Sequence, residues 1–229
     1  MKTLPIPFTE VMVKALLQNL KIMTRRTNGL KRVNENPDDW KIVVGDWSTN
    51  GVLFFNKYGY SDRMKPKFQI GDQLWVKETY TTLVPEHSVE PLKNKYIYKA
   101  DFDTESEQKR KDFVAQGYPY KWITGRYMPK SAARIWLEVT GVKCERLQNI
   151  SNEDAIAEGI IPISLSASNL VKQRQKYFDY SKPKQLFGDD LDPFWSFNAL
   201  WCSINGGESW NTNPWVFVYT FKRIGKPAG

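Results

Sequence analysis

The closing segment of the chain, residues 215–221, reads Trp-Val-Phe-Val-Tyr-Thr-Phe and leaves neither face polar. A strand apolar on both faces belongs in the interior of a covered sheet. Two further strands are read by alternation. In 73–80, opened by the Gly71-Asp72 turn, Leu74, Val76 and Glu78 share one face, and Trp75, Lys77 and Thr79 the other. In 134–143, Ile135, Leu137 and Val139 alternate with Trp136, Glu138 and Thr140, which predicts a second central strand. Glu78 thus falls on an apolar face, where a carboxylate needs a partner. The arginines near Thr24 are the natural candidates, in a structural ion pair or in a substrate contact.

Three helices are expected. The first follows Thr9, a suitable N-cap after Pro5 and Pro7, with Val11, Ala15 and Leu16 on one apolar face and Asn19 as its stop. The second spans 151–159: Ser151 and Asp154 have capping-box spacing, and Gly159 suits the position after the helix. Its last residue, Glu158, puts an acid where the helix dipole favours a cation, and such broken local rules are commoner at functional sites. The third starts at Asp192-Pro193, carries Phe197, Leu200, Trp201 and Ile204 at helical spacing, and ends at Asn205-Gly206-Gly207.

The remaining chain reads as insertions into one α+β domain over 1–224, followed by a tail at 225–229. In 27–66 only 40–44 and 51–55 look like strands, a hairpin pair in a peripheral insertion. Residues 85–130 interleave Tyr96, Tyr98, Phe102, Phe113, Tyr118, Tyr120, Trp122 and Tyr127 with lysines and arginines. That mixture suits single-stranded nucleic acid, although a hairpin needs a core of its own and most of these rings are expected to pack. Residues 162–191 read as a polar loop or a short basic helix. Trp210 and Trp215 bracket a turn, where they can stack on a base but more often anchor a buried strand.

Composition narrows the partners. A net charge of +8 and a pI near 9.3 point to polyanions, nucleic acid first, and 41% hydrophobic residues support a real core. Cys144 and Cys202 lie far apart and His87 is the single histidine, so no metal or other cofactor is expected. No apolar run approaches the ~20 residues that span a bilayer and no signal peptide opens the chain. The expected location is the cytoplasm of a bacterial or phage-infected cell, with no membrane partner.

The stretch Lys21-Ile22-Met23-Thr24-Arg25-Arg26 carries the parts of a nucleophilic site. In a strand, Thr24 and Arg26 share a face, and Lys21 at the junction can fold back over them. A threonine hydroxyl needs a base, and a lysine serves when burial or the adjacent Arg25 and Arg26 lower its pKa. Read without that chemistry, the same residues are a solvated basic helix end that complements the dipole.

In order, the leading helix, Lys21-x-x-Thr24-x-Arg26, Gly71-Asp72-x-Leu74-Trp75-Val76-x-Glu78, the 151–159 helix and the Pro214-Trp215-Val216 closing strand resemble the ASCH family. The likeness is to its larger members from bacteriophages and prophages, and covers under half of the chain. It implies a PUA-like mixed or antiparallel β-barrel with flanking helices, here with long insertions. It also implies a cleft that binds a modified nucleoside or RNA and, as in small bacterial members, removes the acetyl group from N4-acetylcytidine. On that likeness Lys21, Thr24 and Glu158 are the catalytic residues. Lys21 takes the proton of Thr24, Thr24 attacks the acyl carbon, and Glu158 assists proton transfer to the leaving amine. Arg26 or a backbone amide stabilises the oxyanion, and Arg25, Arg26, Glu78, Trp75 and Trp215 are the substrate-binding candidates. The family's usual glycine two residues before the lysine is Asn19 here, a residue that tolerates the left-handed conformation. A noncatalytic RNA or modified-nucleic-acid binding module, and a ribonuclease using the same cleft, are the other readings.

Overall fold

A computed structural model describes residues 1–46, 51–82, 96–101, 121–160 and 192–227, with short pieces at 108, 111–112, 115, 162–163 and 176–177. Phe102, Phe113, Tyr118, Tyr120 and most of the 162–191 insertion lie outside the described residues. The first part of the chain runs β1 (Thr3–Pro7), α1 (Glu10–Leu17), β2 (Met23–Arg26), α2 (Lys31–Asn34), β3 (Trp40–Asp46), β4 (Gly51–Asn56), β5 (Ser61–Met64), β6 (Gln73–Lys77), β7 (Tyr80–Thr82) and β8 (Tyr96–Tyr98). It continues with β9 (Trp136–Arg146), α3 (Asn152–Ala157), β10 (Pro162–Ile163), β11 (Lys176–Tyr177), α4 (Pro193–Asn205), α5 (Glu208–Asn211) and β12 (Trp215–Ile224). No helix among the described residues is long and apolar enough to cross a membrane.

The architecture is α+β, built on a five-stranded sheet in the order β1-β6-β9-β12-β2. β1 runs parallel to β6, and the other pairings are antiparallel. β9 and β12 are interior strands, as their apolar patterns predict. The two faces of β12 divide between two cores. Trp215, Phe217, Tyr219 and Phe221 pack with Leu16 of α1 and with β6 and β9. Val216 and Val218 pack with Met23, Ala155, Phe197 and Trp201 on the side covered by α3 and α4. Among the described residues the sheet is open, because its edges β1 and β2 are not paired as strands. They are bridged instead by Arg26, whose Nη2 donates to the Pro7 carbonyl at 2.8 Å.

β1 is an element the sequence reading missed. Its prolines suggested a lead-in to a helix, yet proline fits an edge strand wherever its nitrogen faces away from the neighbour. Lys2 O and Phe8 N both bond to the β6 side, at Gln73 N and Lys77 O. Odd-numbered Pro5 and Pro7 therefore turn their nitrogens outward.

The expected 73–80 strand is two, because the ladder stops after Lys77 and resumes at Tyr80 in a separate pairing with β8. Between them the Glu78 amide donates to Met128 Sδ at 3.2 Å. Gly125 packs so closely on the Glu78 backbone that a Cβ there would sit 3.0 Å from it.

The 27–66 segment forms its expected hairpin, β3 with β4, and adds β5 on the other side of β4. It is not peripheral. Leu30, Val33, Val52 and Phe54 are completely buried in the same core as Phe217 and Tyr219, and Phe54 meets Trp215 edge to face at 5.1 Å. The polar residues that made the segment look external are those of the stretches around the two strands. Phe54→Ala should therefore cost about 3–5 kcal/mol, the range for emptying a core aromatic site. A denaturant titration checks this, and a loss below about 1 kcal/mol would return the hairpin to the periphery.

Candidate functional site

α1 ends at Asn19, whose φ of 58° is the left-handed turn expected of a residue standing in for glycine. The turn directs Leu20 N and Lys21 N back to the Ala15 carbonyl, at 2.9 and 3.3 Å. Lys21 then forms a single antiparallel bridge with Glu158, and Ile22 N bonds to Ala157 O at 2.9 Å. The end of α3 is thereby stitched to the entry of β2. Ser151 caps α3 by accepting from Asp154 N at 3.1 Å. Gly159 follows with φ 91°, where a Cβ would lie 2.9 Å from both Ala15 and Lys21 side chains. Only glycine satisfies both the backbone angle and the space.

These two backbone crossings bring together side chains 137 residues apart. Lys21 Nζ donates to Glu158 Oε2 at 2.8 Å and to the Glu158 carbonyl at 2.6 Å, with the lysine side chain wholly removed from solvent. Arg25 donates to Glu158 Oε1 at 3.2 Å, to Glu145 Oε1 at 2.7 Å and to Asp154 Oδ2 at 2.6 Å. Lys143 closes the outer edge with ion pairs to Glu145 and Asp154 at 3.0 and 3.1 Å.

Burial lowers the Lys21 pKa below its ordinary 10.5 despite the opposing attraction of Glu158, and Arg25 and Arg26 add to the lowering. Desolvation also works against Arg25, but Glu158, Glu145 and Asp154 outweigh it and hold the guanidinium firmly charged. Asp154 loses solvation too, yet Arg25 and Lys143 keep its carboxyl below the usual range.

Thr24 is buried on β2 opposite Tyr219 of β12. Its residue, with Arg25, Arg26 and Glu158, lines a cleft of about 90 Å³ whose other wall is α4, at Phe197, Leu200 and Trp201. Lys21 is not one of the lining residues, and both of its hydrogen bonds go to Glu158 rather than to Thr24. Arg26 leans over the Phe8 ring at 5.1 Å, and Lys21 approaches the same ring at 5.4 Å.

Three of the substrate-binding candidates fall elsewhere. Glu78 is buried as its strand position predicts, but its partner is Arg134, which grips both carboxylate oxygens at 2.9 Å and also holds Asp101. Burial raises the Glu78 pKa in spite of that grip. Arg25 and Arg26 are thus not its partners: Arg25 is held by Glu158, Glu145 and Asp154, and Arg26 by the Pro7 carbonyl. Trp75 sits half-buried on β6 beneath Lys77, and Trp215 donates from its indole to Pro37 O at 3.0 Å in the core. Neither lines the cleft.

The sequence reading missed Glu145, Asp154, Asn28 and Asn205 as neighbours of the site. Strand parity carried part of the signal. If Thr24 and Arg26 share one face of β2, Arg25 must face the side of Met23, where α3 and its acids lie.

No family model, curated protein or solved structure matches the chain.

The ion network predicts a particular pH dependence. A lysine whose folded pKa is lowered binds fewer protons folded than unfolded, so stability rises with pH between the folded value and 10.5. Glu158→Gln removes the group that opposes the lowering and leaves two buried cations short of a counter-charge. It should cost roughly 3–5 kcal/mol at neutral pH, with the deficit shrinking as pH rises toward 10.5. Urea titrations of both proteins across that range check it, and a pH-independent deficit would contradict the assignment.

Proposed function

We propose that the protein is a PUA-like, ASCH-type amidohydrolase that removes an acyl group from N4-acetylcytidine or a related modified base. The observation that carries the reading is Lys21 buried against Glu158, a residue that lines the same cleft as Thr24. Burial lowers the pKa of a lysine in that setting, which favours the neutral amine more than a solvated basic helix end does.

In this reading the Thr24 hydroxyl attacks the acyl carbon while its proton passes to neutral Lys21. The carbon–nitrogen bond then breaks and the leaving amine takes up a proton with the help of Glu158, which touches Lys21 and lines the cleft. Water hydrolyses the acyl-threonine, releases the carboxylic acid and restores the hydroxyl. Negative charge on the acyl oxygen develops in the field of Arg25 and Arg26. The first transfer requires Lys21 to turn from Glu158 toward Thr24 when substrate fills the cleft, a tightening that substrate complexes commonly add to an unliganded site.

The second reading, a noncatalytic binder of RNA or modified nucleic acid, draws on Arg26. No carboxylate lies within ion-pair distance of it among the described residues. The two readings part at turnover. Incubation of the chelator-treated protein with N4-acetylcytidine should yield cytidine by chromatography. Thr24→Ala and Lys21→Ala should each abolish conversion, and the double variant should be no worse than either single one, as for groups acting as a unit. Conversion undiminished in Thr24→Ala would remove the nucleophile; no conversion by the parent protein would leave the binding reading.

A further inference from the structure

Arg25 stands between Thr24 and Arg26 on β2 and borders the Thr24 cleft. The sequence reading makes it a substrate-binding residue, yet its side chain has no exposed surface. Both terminal nitrogens are engaged inside the protein. Nη1 donates to Glu158 Oε1 at 3.2 Å and to Met23 Sδ at 3.3 Å. Nη2 donates to Glu145 Oε1 of β9 at 2.7 Å and to Asp154 Oδ2 of α3 at 2.6 Å. Phe197 of α4 lies against the guanidinium, its ring centre 5.9 Å from Cζ. A planar fork gripped by acids from two elements is held rigidly.

The Glu158 carboxylate has two holders. Among the described residues it is hydrogen-bonded to Lys21 through Oε2 and to Arg25 through Oε1, and to no other group. The proposed chemistry removes one of them, because Lys21 turns toward Thr24 and in doing so also releases the Glu158 carbonyl. A buried carboxylate left without a cation or a hydrogen bond would take up a proton or turn to another rotamer. Arg25 prevents both. It keeps Oε1, so the oxygen left free is Oε2. The proton that Lys21 takes from Thr24 then reaches the leaving amine through Oε2, and the pair ends the step as it began, a carboxylate beside a neutral amine.

We infer that Arg25 is a positioning residue: fixed by Glu145 and Asp154, it holds Glu158 Oε1 so that Oε2 stays available to Lys21 and to the leaving amine. It acts through Glu158 and touches no substrate. This rests on the amidohydrolase reading of the Thr24 cleft and adds a residue to it.

Steady-state kinetics on N4-acetylcytidine separate positioning from substrate binding. Arg25→Lys keeps a charge and loses the fork. Glu145→Gln weakens one of the two outer anchors of Arg25, at a half-buried residue bonded to Arg25 and Lys143 rather than to Lys21 or Glu158. With KM within about twofold of the parent value, kcat should fall about 10–100-fold in the first variant and several-fold in the second. A raised KM with kcat unchanged would return Arg25 to substrate binding, and two variants as active as the parent would leave it a structural ion pair; either result overturns the inference. The pH profile supplies a readout that lost packing alone would not move. Arg25→Gln removes a cation that lowers the Lys21 pKa, so the rise of kcat with pH should shift to higher pH, and the NMR midpoint of the Lys21 nitrogen should shift with it. An unmoved midpoint in folded Arg25→Gln overturns the inference as well, and if that variant does not fold, the kinetics of Glu145→Gln decide. An inactive parent protein defeats the amidohydrolase reading and this inference with it, whereas an active parent whose Arg25→Lys variant changes only in KM defeats this inference alone.

Discussion

The carboxylate of Glu158 is the point on which this end of the molecule depends. One oxygen takes the ammonium of Lys21 and the other the guanidinium of Arg25, and the residue is almost wholly buried. Removing three such charges from water is expensive, and a buried ion pair is seldom a net gain over apolar packing of the same volume. What the arrangement secures is position. It fixes the exit of α1, the edge strand β2 and the end of α3 against each other, and through Glu145 it ties all three to β9. The same constraint keeps a lysine out of water beside a cleft, and that links the structural role to the chemical one.

The fold supplies the pieces by different physical routes. β12, apolar on both faces, must lie between two cores, and antiparallel pairing with its flank then sets the register of β2, with Thr24 opposite Tyr219. Gly159 lets α3 end so close to Ala15 and Lys21 that no side chain fits between them. α4 closes the cleft from the far side, capped at its start by Asp192, whose side chain accepts from Trp195 N at 3.0 Å, and ended by Gly206 at φ 89°.

Much of this was legible in the chain because it is local or periodic. The interior strands, the cap of α3, the terminal position of Glu158 and the left-handed tolerance of Asn19 each follow from a few adjacent residues. The partner of Glu78 was not legible. Sequence shows that a buried carboxylate needs a cation, but which one depends on the packing, and here Arg134 takes the carboxylate while Arg25 and Arg26 are engaged by other groups. β1 was hidden for another reason: prolines argue against a strand unless it is already known to be an edge. The hairpin at 40–56 misled because the residues around it are polar, while Phe54 and Val52 reach the shared core. Glu145 and Asp154 look like ordinary surface acids until the packing of α3 on β9 and β2 gathers them around Arg25.

The ionisation of Lys21 connects the buried network to the proposed chemistry, and it can be measured without any substrate. An NMR pH titration of the lysine side-chain nitrogens, with the Lys21 signal identified by its absence in Lys21→Met, should give a midpoint below the ordinary 10.5. A midpoint at or above that value would mean that Glu158 holds the lysine as a permanent ammonium, which would leave the network a structural clamp and Thr24 without its base.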